Sequence, residues 1–366
     1  MAYTTIDDPS AHFHTRLYTA TGNAISVTND ANAGDFQPDW IWLKSRNNAT
    51  NHNVFDSSRG QTKRLYPNTN DQEDTVGTFV LDSNGFSIGG SGSSGIGDIN
   101  VANKTMVAWQ WKCNGGTTSS NTDGSITSTV QVNDTAGFSI VTYTGNETAG
   151  ATIGHGLSAA PDVVIVKNRE STREWMFGHQ AYVDGGNTEN LRWNSTAVPA
   201  SADDQAGSGW HRTAFGSSVF TVGDGQDGDY TEGTNNGTDD HVAYCFREIK
   251  GYSKFGSYTG NGNADGPFIY TGFKPAWIMF KKSSDTGDWI IMDAKRTNEF
   301  NPTNGTLYAN LTNAEATSID RGDCVSNGYK LRNTSAAVNT SGATYIYMAF
   351  AEHPFVSSKG VPVTAR

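Results

Sequence analysis

A short pattern recurs three times along the 366 residues. Tyr18-Thr19-Ala20-Thr21-Gly22-Asn23, Tyr143-Thr144-Gly145-Asn146 and Tyr258-Thr259-Gly260-Asn261 each precede a proline that leads into an apolar run ending in lysine. Those runs are Pro38-Asp39-Trp40-Ile41-Trp42-Leu43-Lys44, Pro161-Asp162-Val163-Val164-Ile165-Val166-Lys167 and Pro275-Ala276-Trp277-Ile278-Met279-Phe280-Lys281. Each unit closes on an aromatic-rich segment: Met106-Val107-Ala108-Trp109-Gln110-Trp111, His241-Val242-Ala243-Tyr244-Cys245-Phe246 and Tyr347-Met348-Ala349-Phe350-Ala351-Glu352. The tyrosines lie 125 and 115 residues apart and the prolines 123 and 114. Two landmarks that drift together point to tandem duplication with changes in loop length, and a repeated unit restricts the fold to copies that stack on one another.

The unit is β. Only 17% of residues are charged, 41 are glycine, and the stretches between apolar runs are crowded with Asn, Thr, Ser and Asp. These residues supply tight turns and compete with a helical ladder. An aromatic content of 11%, with nine tryptophans, excludes a disordered chain. Phe138-Ser139-Ile140-Val141-Thr142-Tyr143 alternates as a half-buried strand does. Asp82-Ser83-Asn84-Gly85 before Phe86-Ser87-Ile88 predicts a hairpin with a type I′ turn, and Ser326-Asn327-Gly328 is its counterpart in the third unit. The expected fold is all-β: three tandem antiparallel β-sandwich units, jelly-roll-like, of around eight strands each.

The expected divisions are an extended N-terminal arm (1–10), unit one (11–113), a flexible linker (114–125), unit two (126–250), unit three (251–355) and an extended tail (356–366). The post-proline runs do not alternate: Trp40 and Trp42 share one face, Ile41 and Leu43 the other. A strand apolar on both faces must be covered on both, so another repeat, a long loop or another subunit packs over these sheets.

Little in the sequence points to catalysis. No nucleophile motif is present, and no Asp or Glu recurs in all three units. Asp56 with Arg59 and Asp293 with Arg296 match in place and read as ion pairs that fix a turn, with Gly178 at that place in unit two. His12 and His14 share a strand face but lack a third ligand, and the acidic loop Asp224-Gly225-Gln226-Asp227-Gly228-Asp229 departs from the EF-hand order. No metal and no cofactor is therefore expected. Cys113, Cys245 and Cys324 lack CxxC spacing and predict neither a disulfide framework nor a zinc site. A net charge of −11 without a basic run disfavours nucleic acid and anionic lipid, and no apolar run is long enough to cross a membrane as a helix. The start of the chain lacks the basic and apolar regions of a signal peptide. Aromatic residues in loops stack on sugars, which makes Trp193, Trp210 and Tyr230 the candidate glycan-binding residues, against the competing role of tryptophan as core filler.

The Tyr-Thr-Gly-Asn motifs, Phe36-Gln37-Pro38-Asp39-Trp40-Ile41-Trp42-Leu43-Lys44, Phe55-Asp56-Ser57-Ser58-Arg59-Gly60 and Val107-Ala108-Trp109-Gln110-Trp111-Lys112 together resemble an uncharacterised tandem domain of structural proteins of tailed, marine-type bacteriophages. The ending from Phe355 to Arg366 is similar to the tails of such proteins. The resemblance implies a non-enzymatic virion protein (tail fibre, appendage or capsid decoration) made in the host cytoplasm and exposed on the particle after lysis. Other virion proteins, further copies of the chain and host surface glycan are its expected partners. Two alternatives stay open: a polysaccharide-degrading tail enzyme, and a subunit of a self-assembling extracellular filament whose N-terminal arm pairs with a neighbour's sheet.

Overall fold

In the computed structural model, which describes residues 3–30, 35–182, 189–198, 200–201, 215–223, 233–297 and 301–363, the three apolar runs are central strands of three separate sheets. Unit one contributes β1 (Phe13–Thr19), β2 (Trp40–Ser45), β3 (Asn53–Asp56) and β4 (Thr105–Trp111), in spatial order β1-β4-β2-β3. Unit two repeats this order with β5 (Phe138–Thr144), β6 (Val163–Asn168), β7 (Met176–His179) and β8 (Asp240–Phe246). Unit three repeats it with β9 (Ser253–Thr259), β10 (Phe273–Lys282), β11 (Trp289–Asp293) and β12 (Thr344–Pro354). All pairings in these sheets are antiparallel.

A smaller sheet covers the outer face of each large one. Ile25–Val27, Gly85–Ile88 and Phe79–Asp82 form it in unit one; Phe268–Tyr270, Gly328–Leu331 and Gly322–Val325 form it in unit three. Unit two has two strands there, Thr152–Gly154 and Val219–Thr221. The molecule is an all-β assembly of antiparallel sandwiches, as the turn-rich composition requires.

Both faces of the post-proline strands are buried, for two different reasons. Ile41 and Leu43 pack outward with Phe55, Phe79 and Phe86 in a core private to unit one, and units two and three have private cores of their own. Trp40 and Trp42 point the other way, into a core shared by all three units. There Trp42 meets Trp193 of unit two edge-on at 4.9 Å, Trp111 meets Trp277 of unit three at 5.8 Å, and Phe177 of unit two meets Trp289 at 4.7 Å. Of the covers open in the sequence, the other two units are the one observed. Each side chain so buried contributes about 1.5–3 kcal/mol relative to exposure, so the shared core holds the units in mutual contact far beyond any single hydrogen bond.

Local chemistry explains the irregularities. Pro275 lies inside β10, where it cannot donate to the ladder, and the register with β12 shifts on both sides of it. Asp82 pairs with Gly85, so the hairpin loop is Ser83-Asn84. Only Gly85 in that hairpin has positive φ, 102°, in place of the expected type I′ pair, and a Cβ there would lie 2.1 Å from the Val27 carbonyl oxygen. The closing strand of unit three is registered two residues earlier than the motif suggests: Phe350, opposite Trp277, is the counterpart of Trp111 and Phe246.

Three expectations about connections are corrected. The stretch 114–125 contains a strand, Ser119–Asn121, which pairs with Ser128–Asn133 and widens the large sheet of unit two. The arm lies against its own chain: Ile6 is buried in the shared core and the Tyr3 hydroxyl donates to the Gly272 carbonyl at 2.8 Å. Asp8 caps a short 3-10 helix, Pro9–Ala11. The tail turns back on itself, with the Ser357 N–H bonded to the Val361 carbonyl, and Ser358 donates to Asp7.

Candidate functional site

The recurring polar residues lie at the seams between units. Trp40 is opposite Asp56, Trp277 opposite Asp293, and Val163 opposite His179. His179, and not Gly178, is therefore the unit-two counterpart of the two aspartates. Asp56 and Arg59 are a fully buried pair and do more than fix a turn. Arg59 Nη1 donates to Glu73 Oε2 at 2.7 Å, Arg169 of unit two donates to the same oxygen at 2.9 Å, and the Tyr244 hydroxyl of unit two donates to Asp56 at 2.7 Å. Burial opposes ionisation of Glu73, but bonding to Arg169 and Arg59 outweighs it and holds the carboxyl below its usual range.

The seam between units three and one repeats this arrangement. Arg296 pairs with Asp293 and Glu315, Arg46 of unit one reaches Glu315, and Trp109 Nε1 of unit one donates to Asp293 at 2.9 Å. The seam between units two and three differs: Met348 stands where Trp109 and Tyr244 stand, and Ser283 where Arg46 and Arg169 stand. His179 Nε2 lies 3.4 Å from the Tyr347 carbonyl there, and the Gly287 N–H and Lys281 Nζ bond to the Thr196 carbonyl.

The remaining sequence candidates divide clearly. Trp193 is 0% exposed, packed among Trp40, Trp42 and Trp175, so it fills the core and has no free face for a sugar. Trp210, Tyr230 and the acidic loop Asp224 to Asp229 lie outside the described residues. His12 Nδ1 sits near Asn133 and His14 Nε2 lies 3.6 Å from Asp30; burial drives His14 down to about 4, so it is neutral. Among the described residues no group of three or more His, Cys, Asp or Glu is arranged to hold a metal ion. The three cysteines are buried and unbridged, and burial pushes the Cys245 thiol up to about 12.

Two surface features were not apparent in the sequence. The first is an aromatic pair on the outer sheet of unit three: Phe268 is 46% and Tyr270 55% exposed, while Ile269 between them is buried. At positions i and i+2 of a strand they share one face, about 6.6–6.8 Å apart along it. Pairing opposite Gly328–Leu331 makes Ser26 and Thr28 their counterparts in unit one, so the fold itself does not require rings there. Comparing the units position by position is the signal that reveals them. Phe268 lies over Gly328, where a Cβ would come within 2.7 Å of the ring. Charged groups flank the pair: Lys330 bonded to Asp265 at 2.7 Å and Arg332 to Asp323 at 2.6 Å. The second feature is a half-open groove of about 580 Å³ between β1 and unit three. Its floor includes Leu17 and Ala276, and Arg16 and Lys295 both pair with Asp30 at its rim.

A family model described as a domain of unknown function, DUF7483, matches residues 8–354. No curated protein and no solved structure matches the chain.

Proposed function

We propose that this chain, which belongs to the DUF7483 family, is a non-enzymatic structural protein on the surface of a bacteriophage particle and touches host glycan through unit three. The observation that carries the structural role is the shared core. Three units, read as tandem copies of one ancestor, turn their largest aromatic faces toward one another, and the buried ion pairs of units one and three lie at two of the three seams. Such an interior suits a rigid building block. The phage setting rests on the sequence resemblance at the repeated motifs.

Phe268 and Tyr270 support the glycan part of the reading. Aromatic faces stack on the apolar faces of sugar rings, and the flanking Lys, Asp and Arg residues suit hydroxyl groups. Two half-exposed rings offer on the order of 200 Å², well below the ~800 Å² per partner of a stable protein interface. A small ligand fits them better than a protein does.

The test has two arms. Antibody against the chain should decorate purified particles; label confined to the soluble lysate would remove the virion assignment. The full chain should be retained on immobilised host surface polysaccharide, and Phe268→Ser with Tyr270→Thr, the unit-one residues, should weaken retention at least tenfold without changing the near-UV spectrum. Release of reducing sugar from that polysaccharide would instead favour the tail enzyme.

A further inference from the structure

The first strand of the inner sheet is an edge strand in units one and three, and unit two shows what such an edge accepts. Ser128–Asn133 pairs along β5, with Asn133, Gln131 and Thr129 opposite Phe138, Ile140 and Thr142. Gln131 is fully buried and reaches across the seam into unit one. Its Nε2 donates to Ser57 Oγ at 2.9 Å and Ser58 Oγ at 2.8 Å, and its Oε1 accepts from the N–H groups of Asn114 and Gly116.

The seam between units three and one has the same parts without that strand. Phe13 is opposite Trp111 as Phe138 is opposite Phe246, so Phe13, Thr15 and Leu17 are the counterparts of Phe138, Ile140 and Thr142. Ala294 and Lys295 follow Asp293 as Ser57 and Ser58 follow Asp56. Phe13, Thr15, Leu17, Ala294 and Lys295 all line the 580 Å³ groove. The Lys112 N–H donates to the His12 carbonyl and the Ala20 N–H to the Lys104 carbonyl, so the even-numbered residues of β1 face β4. The backbone groups of Phe13, Thr15 and Leu17 therefore point to the groove. Among the described residues no strand pairs with that edge. Thr15 Oγ1 and Arg16 Nε, both buried at the groove, have no hydrogen-bond partner.

We propose that this groove accepts an extended segment of a different protein as an added antiparallel strand. The segment pairs with Phe13, Thr15 and Leu17 and carries an amide or carboxylate side chain opposite Thr15, directed over Ala294 to Lys295. The strand supplies affinity through main-chain bonds and the inward side chain supplies register. Five residues of edge span about 16 Å, room for a segment of similar length. The chain's own stretch with this chemistry, 128–133, is held in its own seam, which is why the donor is taken to be another protein and not a second copy.

A labelled peptide of residues 127–134 serves as the probe for the full-length chain. Saturable binding in the micromolar range is expected. Amide exchange resolved by residue should be fast at Phe13, Thr15 and Leu17 in the free chain and at least tenfold slower with peptide, while His14 and Arg16, already bonded to β4, do not change. Ala276→Trp, which fills the groove, and a peptide with proline in place of Gln131 should each weaken binding at least tenfold. Lys295→Glu, at a half-exposed site, should weaken it too, and more for a peptide with glutamate at that place. Absence of saturable binding up to about 1 mM overturns the proposal. So do odd-numbered amides already slow in the free chain, or sedimentation showing that copies of the chain occupy each other's groove.

Discussion

At the scale of single residues, the lysine that ends each repeated run is the least expected feature. Lys44, Lys167 and Lys281 are all buried, and each ammonium donates to two backbone carbonyls. For Lys167 and Lys281 one of those carbonyls, of Asn70 and Thr196 respectively, belongs to the preceding unit. Burial lowers Lys167 to about 7 and Lys44 and Lys281 to about 8. The unfolded lysine holds its proton up to about 10.4, so between pH 7 and 10 the unfolded state binds more protons and stability rises with pH. Above that window the buried tyrosines Tyr143, Tyr244 and Tyr258, raised by burial, reverse the trend, because the unfolded chain ionises first. Below pH 6.5 buried neutral histidines such as His52 and His241 act in the same direction as the lysines: the unfolded state takes up protons that the folded state refuses, so stability falls further as the pH drops. The urea midpoint should therefore be higher at pH 9.5 than at pH 7. Lys167→Met should remove on the order of 1 kcal/mol of that rise. An unchanged slope in the variant would show that the ammonium remains solvated.

At the scale of strands and seams, the two aspartates carry the heaviest local role. Asp293 binds Arg296 within unit three and accepts the Trp109 indole N–H from unit one. Asp293→Ala leaves the buried Arg296 Nε and the buried Trp109 indole N–H without their acceptor, with Glu315 still paired to the guanidinium, and should cost about 3–5 kcal/mol, against about 1–3 kcal/mol for Trp109→Phe, which removes only the indole donor. Denaturant midpoints of the two variants check the ranking, and equal losses would mean that water relaxes into the seam. The strand cores, the hairpin at Gly85 and the need for a cover on both faces of Trp40-Ile41-Trp42-Leu43 were legible, because side-chain alternation and turn chemistry are local properties of sequence. The identity of the cover was not, since a strand reports that its face is buried without reporting by what. Register slipped where no local marker fixes it: one residue at His179, two at Phe350. Trp193 reads as a loop residue because its neighbours Arg192 and Asn194 are polar, yet it is followed inward by two foreign tryptophans. The same limit hid Phe268 and Tyr270, whose exposure follows from which face the outer sheet turns to solvent.

At the scale of the molecule, the three units do not behave as beads on a string. A chain of independent sandwiches would leave each outer face wet and each unit able to fold alone. Here the inner face of every unit is completed only by the other two: removing units one and two would expose Trp277, Met279, Trp289, Ile291 and Phe350 of unit three together. An apolar face of that extent on a soluble fragment drives association. Residues 11–113, 126–250 and 251–355 expressed separately should accordingly aggregate, or survive only by assembling around the missing faces, whereas the full chain should unfold in one cooperative transition. The seam between units two and three, where Met348, His179 and Ser283 replace the ion-pair network, is the place where that cooperativity is thinnest. Amide exchange at low denaturant should open β9 and the adjoining edge of unit two before either of the other seams. Exchange that opens the Asp56 or Asp293 seam first, or a monomeric fragment with native near-UV spectrum, would show that the shared aromatic core is a contact surface between self-sufficient units and not the element on which their folding depends.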